Sequence, residues 1–401
     1  MSNVSGVHQG GVRTGRRAVL AAVLAAVVTA CGDLPRPTPD IALPLSAAAP
    51  AVPESPPRPF TLVATGALAP GSRALDQARQ DAGGDGYDFR AILAGVKPVV
   101  SSADLALCHL RVPFGDPAGP FSGPPSFLAP PQLARSLADT GYDACSTASD
   151  HMLDGGEQGA HRTLGAMDDA GLGHAGSARS AEEAERPAIL EAGGAGVVHL
   201  AYTGSTGGHP VGADRPWTIS VIDPGRIVAD ARAARRAGAD VVVVSLHWGA
   251  ADGRALPEDR RRALAAELAR SRSGGLPDID LILGTHPRVP QAYEKVHGIW
   301  VVHGLGSQLA DDASAGTAQV SSLARFTFVP PGSPGGRWEV RDAEFVPQLT
   351  TAPGDGPLRV INLNEALRQT PDDRPRQQAR DRVRDVVLSR GAAGDGLRMT
   401  G

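Results

Sequence analysis

The chain has 401 residues, 42% of them hydrophobic, with a formal charge of −4. The first thirty residues carry three arginines and no acid, so the chain without them stands at −7. No basic cluster rises above this mildly acidic background, which leaves nucleic-acid binding without electrostatic support.

The N-terminal stretch reads as an export signal. Arg13, Arg16 and Arg17 form a positive region, and Ala18 to Val28 is apolar. That run is too short to span a bilayer stably, so a signal peptide fits better than a membrane helix. Val28-Thr29-Ala30-Cys31 resembles a lipobox, with Cys31 as the lipidated new N-terminus. The other reading is an ordinary secreted protein with an incidental cysteine. The pair Arg16-Arg17 also fits twin-arginine export. Residues 32–58 are rich in proline and alanine, cannot bury enough apolar surface to fold, and read as a tether. The expectation is a membrane-anchored lipoprotein facing out of the cytoplasm, in a bacterial cell envelope.

From Phe60 the pattern is α/β. Strands are predicted at Phe60–Thr65, Asp104–Leu110, Tyr142–Ala148, Val197–Tyr202, Asp240–Leu246, Ile279–Leu283 and Ile299–His303. Helices are predicted at Pro130–Ala138, His161–Ala170, Pro224–Ala237 and Pro257–Arg272, with a helical turn at Asp88–Leu93. Strand and helix alternate, which argues mixed, mainly parallel sheets covered by helices. After about residue 311 the character changes. Ser321–Val329 and Trp338–Val346 read as antiparallel strands, Arg359–Leu363 as a short strand and Pro375–Leu388 as a terminal helix. The division is thus 1–31 signal and lipobox, 32–58 tether, 59–350 α/β domain, and 351–401 a C-terminal strand, helix and disordered end.

Three apolar runs finish on a histidine. Val241-Val242-Val243-Val244 has four β-branched residues, reads as a strand buried on both faces, and leads to His247-Trp248-Gly249. The others end on Asp150-His151 and on Thr285-His286-Pro287. Chemistry in α/β sheets collects where parallel strands end, so these imidazoles are expected together at one edge of one sheet. Cys108 and Cys145 sit on successive strands. Export permits a disulfide, but directly adjacent strand cysteines fit its geometry poorly, and two buried thiols are the expectation.

Several of these residues, taken in order, carry a resemblance. They are His151 with Asp154, Gly156 and Gly159, then Asp169-Ala170-Gly171, then Ala184-Glu185-Arg186-Pro187-Ala188-Ile189-Leu190. They continue with His247-Trp248-Gly249, Gly284-Thr285-His286-Pro287 with Gln291 and Glu294, and His303-Gly304-Leu305-Gly306-Ser307. From Phe60 to Leu309 the chain resembles the CapA-type proteins of poly-γ-glutamate capsule synthesis. That resemblance implies a metallophosphatase-like layered α/β sandwich.

It also implies a site. The family's first metal-binding carboxylate is Ala67 here, its Asn-Leu-Glu is His109-Leu110-Arg111, and its Asn-Asn-His is Ser149-Asp150-His151. Two cations need a bridging carboxylate and roughly six donors, and Arg111 and Arg288 would repel them. The expectation is therefore one divalent metal (Zn, Mn or Fe) on Asp150, His247 and His286, or none. His151 would be the acid or base, oriented by Asp154. Arg111 and Arg288 would anchor an anionic ligand bidentately. His109 reads as a substitute ligand or as drift, Trp248 as core or pocket wall, and Glu294 as a site group or a helix-surface carboxylate. Two functions follow: a metal-assisted hydrolase or transferase on an envelope polymer or phosphoester, or a non-catalytic binding protein for an anionic envelope polymer.

Overall fold

The computed structural model describes residues 56–248, 256–310, 319–333 and 335–401. The first part of the fold comprises β1 (Phe60–Ala69), α1 (Ser72–Asp81), α2 (Arg90–Leu93), α3 (Lys97–Val100), β2 (Leu105–Leu110), α4 (Gln132–Thr140) and β3 (Ala144–Ser146). Then come α5 (Gly156–Asp169), β4 (Gly173–Ala175), α6 (Ala181–Ala184), β5 (Ile189–Ala192), β6 (Ala195–Thr203), α7 (Pro224–Arg236) and β7 (Val241–His247). They are followed by α8 (Glu258–Ala269), β8 (Arg272–Ser273), β9 (Leu276–Pro277), β10 (Leu281–Thr285), β11 (Tyr293–Val296), β12 (Ile299–Val302) and β13 (Leu309–Ala310). The last part comprises β14 (Gln319–Val329), β15 (Glu339–Thr350), β16 (Val360–Asn362), α9 (Leu363–Gln369), α10 (Arg374–Val387) and β17 (Leu397–Met399).

Two mixed sheets carry the fold. The first runs β16-β15-β14-β1-β2-β3-β4, with β13 beside β1 and β17 beside β15. Its β1 to β4 half is parallel, and β14 to β16 pair antiparallel. The second runs β11-β12-β10-β7-β6-β5, parallel in its middle four strands and closed by an antiparallel hairpin at each edge.

Period-two alternation divides the side chains into layers. Leu105 and Leu107 of β2, Val241 and Val243 of β7, and Leu281 and Leu283 of β10 fill the space between the sheets. Val242, Val244 and Ile282 face the other way, onto Ile227, Ala231, Ala265 and Leu268 of α7 and α8. The valine run is thus buried on both faces, as its composition predicts. Each such valine contributes roughly 1.5–3 kcal/mol by leaving water. The same alternation continues past the apolar residues. His109 and His247 occupy the odd positions of their strands, so both point into the inter-sheet layer at its C-terminal end.

Three expectations need correction. The imidazoles do not share one sheet: His151 follows β3 of the first sheet, whereas His247 and His286 end strands of the second. Their gathering is set by how the sheets face each other, which no strand pattern encodes. Cys108 and Cys145 are joined as a disulfide; parallel pairing of β2 with β3 puts them directly opposite, with Cα atoms 4.3 Å apart. The C-terminal end is ordered structure, since β17 pairs with β15 and Leu397 is buried among Phe345, Val383 and Val387. Signal, lipobox and most of the tether, with Cys31, lie outside the described residues.

Candidate metal centre

The loop after β3 is tied down before it offers any ligand. Ser149 donates its hydroxyl to the carbonyl of Arg111 and accepts the N–H of Met152 at 3.1 Å. That local turn is the role of a small hydroxyl residue at this position. It presents Asp150, 4% exposed, to the inter-sheet layer. Gly207, at φ +66°, allows a neighbouring loop to close over this turn, because a Cβ there would lie 2.2 Å from the Asp150 carbonyl oxygen.

Asp150 is the hub. Arg111 donates from Nε to Oδ1 at 2.9 Å and from Nη2 to Oδ2 at 2.7 Å. His247 Nε2 lies 2.9 Å from Oδ1, and His286 Nδ1 lies 3.6 Å from Oδ2. The two imidazoles approach to 3.1 Å. On its other nitrogen, His247 meets His109 Nε2 at 2.9 Å and Thr285 Oγ1 at 3.2 Å. His109 in turn meets Ser146 Oγ at 2.6 Å. His286 holds a left-handed backbone at φ +90°, strain of about 1–3 kcal/mol that packing must sustain and that clusters at functional sites.

Burial and mutual repulsion set the protonation states. Burial pushes His247 and His109 down, and burial together with His247 brings His286 to about 3. Burial alone would raise Asp150, but His247 and the Arg111 guanidinium overrule it and hold the carboxyl well below its usual range. Two neutral imidazoles and a carboxylate are a suitable donor set for a divalent cation.

The geometry fits one ion. Ligand atoms of Asp150, His247 and His286 all lie within 4.8 Å of one another. Three protein donors with an open fourth position is the usual catalytic arrangement. A second ion does not fit these residues. Ala67 offers a methyl group, and Arg111 already neutralises Asp150 with its fork. A further positive charge at 4 Å from the guanidinium meets about 4 kcal/mol of repulsion per unit charge.

Beside the cluster stands a second pair. His151 Nδ1 lies 2.8 Å from Asp154 Oδ2, which also accepts the Phe127 N–H at 2.7 Å. The His151 ring packs edge-on to Phe127, and its Nε2 is 3.8 Å from Asp150 Oδ2. With a side chain 21% exposed, His151 is the part of the cluster that solvent reaches.

The remaining expected site residues divide. His109 belongs to the cluster through His247. Arg111 also belongs, but as the partner of Asp150: both arms of its fork are used, so it is not an open anchor. Arg288 is exposed, two residues beyond His286, and its charge helps to lower that ring. Trp248 is fully buried against Gly284, where a Cβ would meet its Nε1 at 2.0 Å, so it is core and not a ligand platform. Glu294 lies on strand β11, not on a helix, and pairs with His303 at 3.1 Å and Arg262 at 3.3 Å, outside the cluster.

Sequence reasoning passed over Ser146, Thr285 and His209. His209 Nε2 lies 3.3 Å from Asp154 Oδ1, opposite His151. Its setting, Gly207-Gly208-His209-Pro210, is a turn signal that could have drawn notice.

Residues 61–312 match the family described as bacterial capsule synthesis protein PGA_cap. The chain belongs to this family. Among curated relatives it is 29% identical over 224 residues to "PGA biosynthesis protein CapA" of Bacillus subtilis (strain 168), covering 55% of this chain and 56% of that one. It is 24% identical over 185 residues to "Capsule biosynthesis protein CapA" of Bacillus anthracis, covering 45% and 43%. The chain thus spans about half the length of the curated relatives it matches. Among solved structures it is similar to a phosphatase of Mycoplasma pneumoniae, with 12% identity and a TM-score of 0.46 over 74% of this chain and 96% of that one. In this family member, the His-Trp-Gly and Gly-Thr-His-Pro boxes supply His247 and His286.

Proposed function

We propose that the chain acts in the synthesis or attachment of a capsule or cell-envelope polymer of the poly-γ-glutamate type, as a metal-assisted hydrolase or transferase with one divalent ion. The polymer class follows the family and the names of its relatives. The observation that carries the chemistry is the convergence of Asp150, His247 and His286 from two sheets beside the His151–Asp154 pair.

The three donors would hold the ion, which when bound supplies Lewis-acid polarisation of a phosphoryl or amide oxygen. Arg111 keeps the Asp150 carboxylate ionised and in one orientation. Asp154 fixes the His151 ring through Nδ1, leaving Nε2 as the nitrogen that takes or gives a proton toward the cluster. His109, closed off by Ser146 and His247, orients the His247 ring, as partners of ligating imidazoles commonly do.

The location is part of the same reading: export, and lipid anchoring through Cys31. The Cys108–Cys145 disulfide supports an oxidising compartment. Loss of palmitate labelling in Cys31→Ser, and its presence in the parent, is the expected result.

One observation favours a second reading, a non-catalytic binding protein for an anionic polymer. The Arg111–Asp150 pair completes the charge balance of the cluster without a metal. Elemental analysis of protein purified without chelator separates the two. About one divalent ion per chain, lost in a folded His247→Ala variant, supports the metal centre. Metal-free, folded parent protein rejects it, and polyglutamate binding with Arg288→Ala as control then becomes the assay.

A further inference from the structure

Away from the metal cluster, a cavity of about 780 Å³ opens between the β4–α6 segment and the β6–α7 unit. Its size lies in the range of sites for small ligands. Small residues of β4 and α7, with Pro216, Trp217 and Tyr202, line part of it, and charged side chains of the β4–α6 segment and of α7 line the rest.

Three polar atoms of lining residues have no hydrogen-bond partner among the described residues: His199 Nδ1, Ser177 Oγ and Trp217 Nε1. His199 is 4% exposed and Ser177 is 7% exposed. The other nitrogen of His199 is held by Ser245 Oγ at 2.8 Å. Buried polar groups normally find partners, and each one left without costs about 1–3 kcal/mol. Three such groups belong to residues around one cavity, so the fold leaves its polar groups incomplete there.

The β6 strand adds a second observation. Thr203 gives its N–H to Ser220 and accepts from Ile222, so the odd residues of β6 turn their main-chain groups outward. The β5 strand covers that edge only as far as Val198. Between Val198 and Thr203 no strand pairs with it among the described residues, and His199 to Tyr202 line the cavity there. The gap is about 13 Å of strand. Ile189, 46% exposed, begins β5 opposite Val198 at its margin.

Most of the charges around it are paired, and Glu185 and Arg186 add one of each sign. Arg179 pairs with Glu183 and Asp168, and Arg226 with Asp230. We infer that this cavity binds a short, uncharged, extended α-peptide segment, which adds alongside β6 at His199–Tyr202 and pairs with His199, Ser177 and Trp217. Strand addition uses main-chain hydrogen bonds for affinity and adjoining pockets for side chains. A γ-linked glutamate chain is disfavoured here. It carries a carboxylate on every residue and spaces its amides too widely for a strand ladder. The site is independent of the metal chemistry proposed above.

The test titrates the full chain with the blocked pentapeptide acetyl-Ala-Val-Ala-Val-Ala-amide, following the Trp217 indole N–H by NMR (assigned with Trp217→Phe). A saturable shift, weakened at least tenfold in Ala201→Pro, is expected, because proline removes the outward N–H at the centre of the gap. If Ala201→Pro does not fold, Ser177→Leu, which fills the cavity, must weaken binding by the same factor. No saturable shift up to millimolar peptide overturns the inference. So does a shift produced by γ-linked triglutamate or a neutral disaccharide when the peptide gives none.

Discussion

The Asp150 cluster and the cavity beside β6 are both polar places in a largely apolar interior, and they are built in opposite ways. In the cluster the partners are internal. Asp150 uses both oxygens, and His109 and His247 use both ring nitrogens. Beside β6 the fold leaves His199 Nδ1, Ser177 Oγ and Trp217 Nε1 without partners. A closed network keeps its geometry through the fold and is damaged by losing any member. An open one is costly as it stands and gains from being filled or simplified. The same kind of substitution should therefore have opposite signs in the two places.

The largest effect is expected at Arg111. Arg111→Ala leaves the Asp150 carboxylate buried without its cation, and breaking such a pair costs about 3–5 kcal/mol. Urea denaturation in chelating buffer should record that loss. Adding Zn²⁺ should restore more stability to the variant than to the parent, since the ion then has no competitor for Asp150. Equal restoration in both would mean that Arg111 and a metal do not share that carboxylate.

Acid should act on both regions. Unfolded imidazoles protonate near 6.5, whereas burial brings His199 to about 4 and His286 to about 3. The stability carried by these neutral rings is complete above pH 6.5 and is lost as pH falls from there toward the folded values. For His199 the loss is about 3 kcal/mol. Asp280, raised by burial to about 6 against its Arg235 partner, runs the other way and offsets part of it. The difference in unfolding free energy between pH 7 and pH 4.5 should shrink by about 2–3 kcal/mol in His199→Gln. An unchanged difference would mean that His199 is not held neutral.

Gly284 tests how the second sheet positions His286. A Cβ there would meet Trp248 Nε1 at 2.0 Å and the Val302 carbonyl oxygen at 2.5 Å. Overpacking of this kind costs about 1–3 kcal/mol. Gly284→Ala should lower the melting temperature and weaken divalent-ion binding together. A melting temperature equal to that of the parent would show that Trp248 moves aside freely.

Much of this was legible in the sequence, and the rest has identifiable reasons for being hidden. The four valines of β7 announced a strand buried on both faces, and His247 and His286 followed from their places at strand ends. The pairing of His151 with Asp154 followed from their nearness in the chain. What stayed hidden was long-range. Nothing near Arg111 in sequence says that its fork closes on Asp150. Nothing in the strand patterns says that two sheets meet where they end. Short strands gave no period to read: β5, β11 and β17 exist because a neighbour pairs with them. From sequence, Glu294 therefore reads as a site group or a helix-surface carboxylate, and the C-terminal end as disorder. Cys108 and Cys145 turned on register, which a list of strands does not contain. Nothing near Trp248 in the chain says that Gly284 packs against it and makes it core.

The smallest predicted effect carries the sign that matters for the comparison. Ser177 is buried and its hydroxyl has no partner among the described residues. Removing an unsatisfied hydroxyl is neutral or stabilising, by up to about 1 kcal/mol, because no hydrogen bond is lost and a desolvation cost disappears. Ser177→Ala should therefore match or exceed the parent in urea denaturation while binding the pentapeptide more weakly. Arg111→Ala does the reverse, losing stability where the fold had closed its own network. A clear destabilisation in Ser177→Ala would mean that this hydroxyl is satisfied in the folded protein, and the contrast between a self-completed cluster and a ligand-completed cavity would fail at its simplest point.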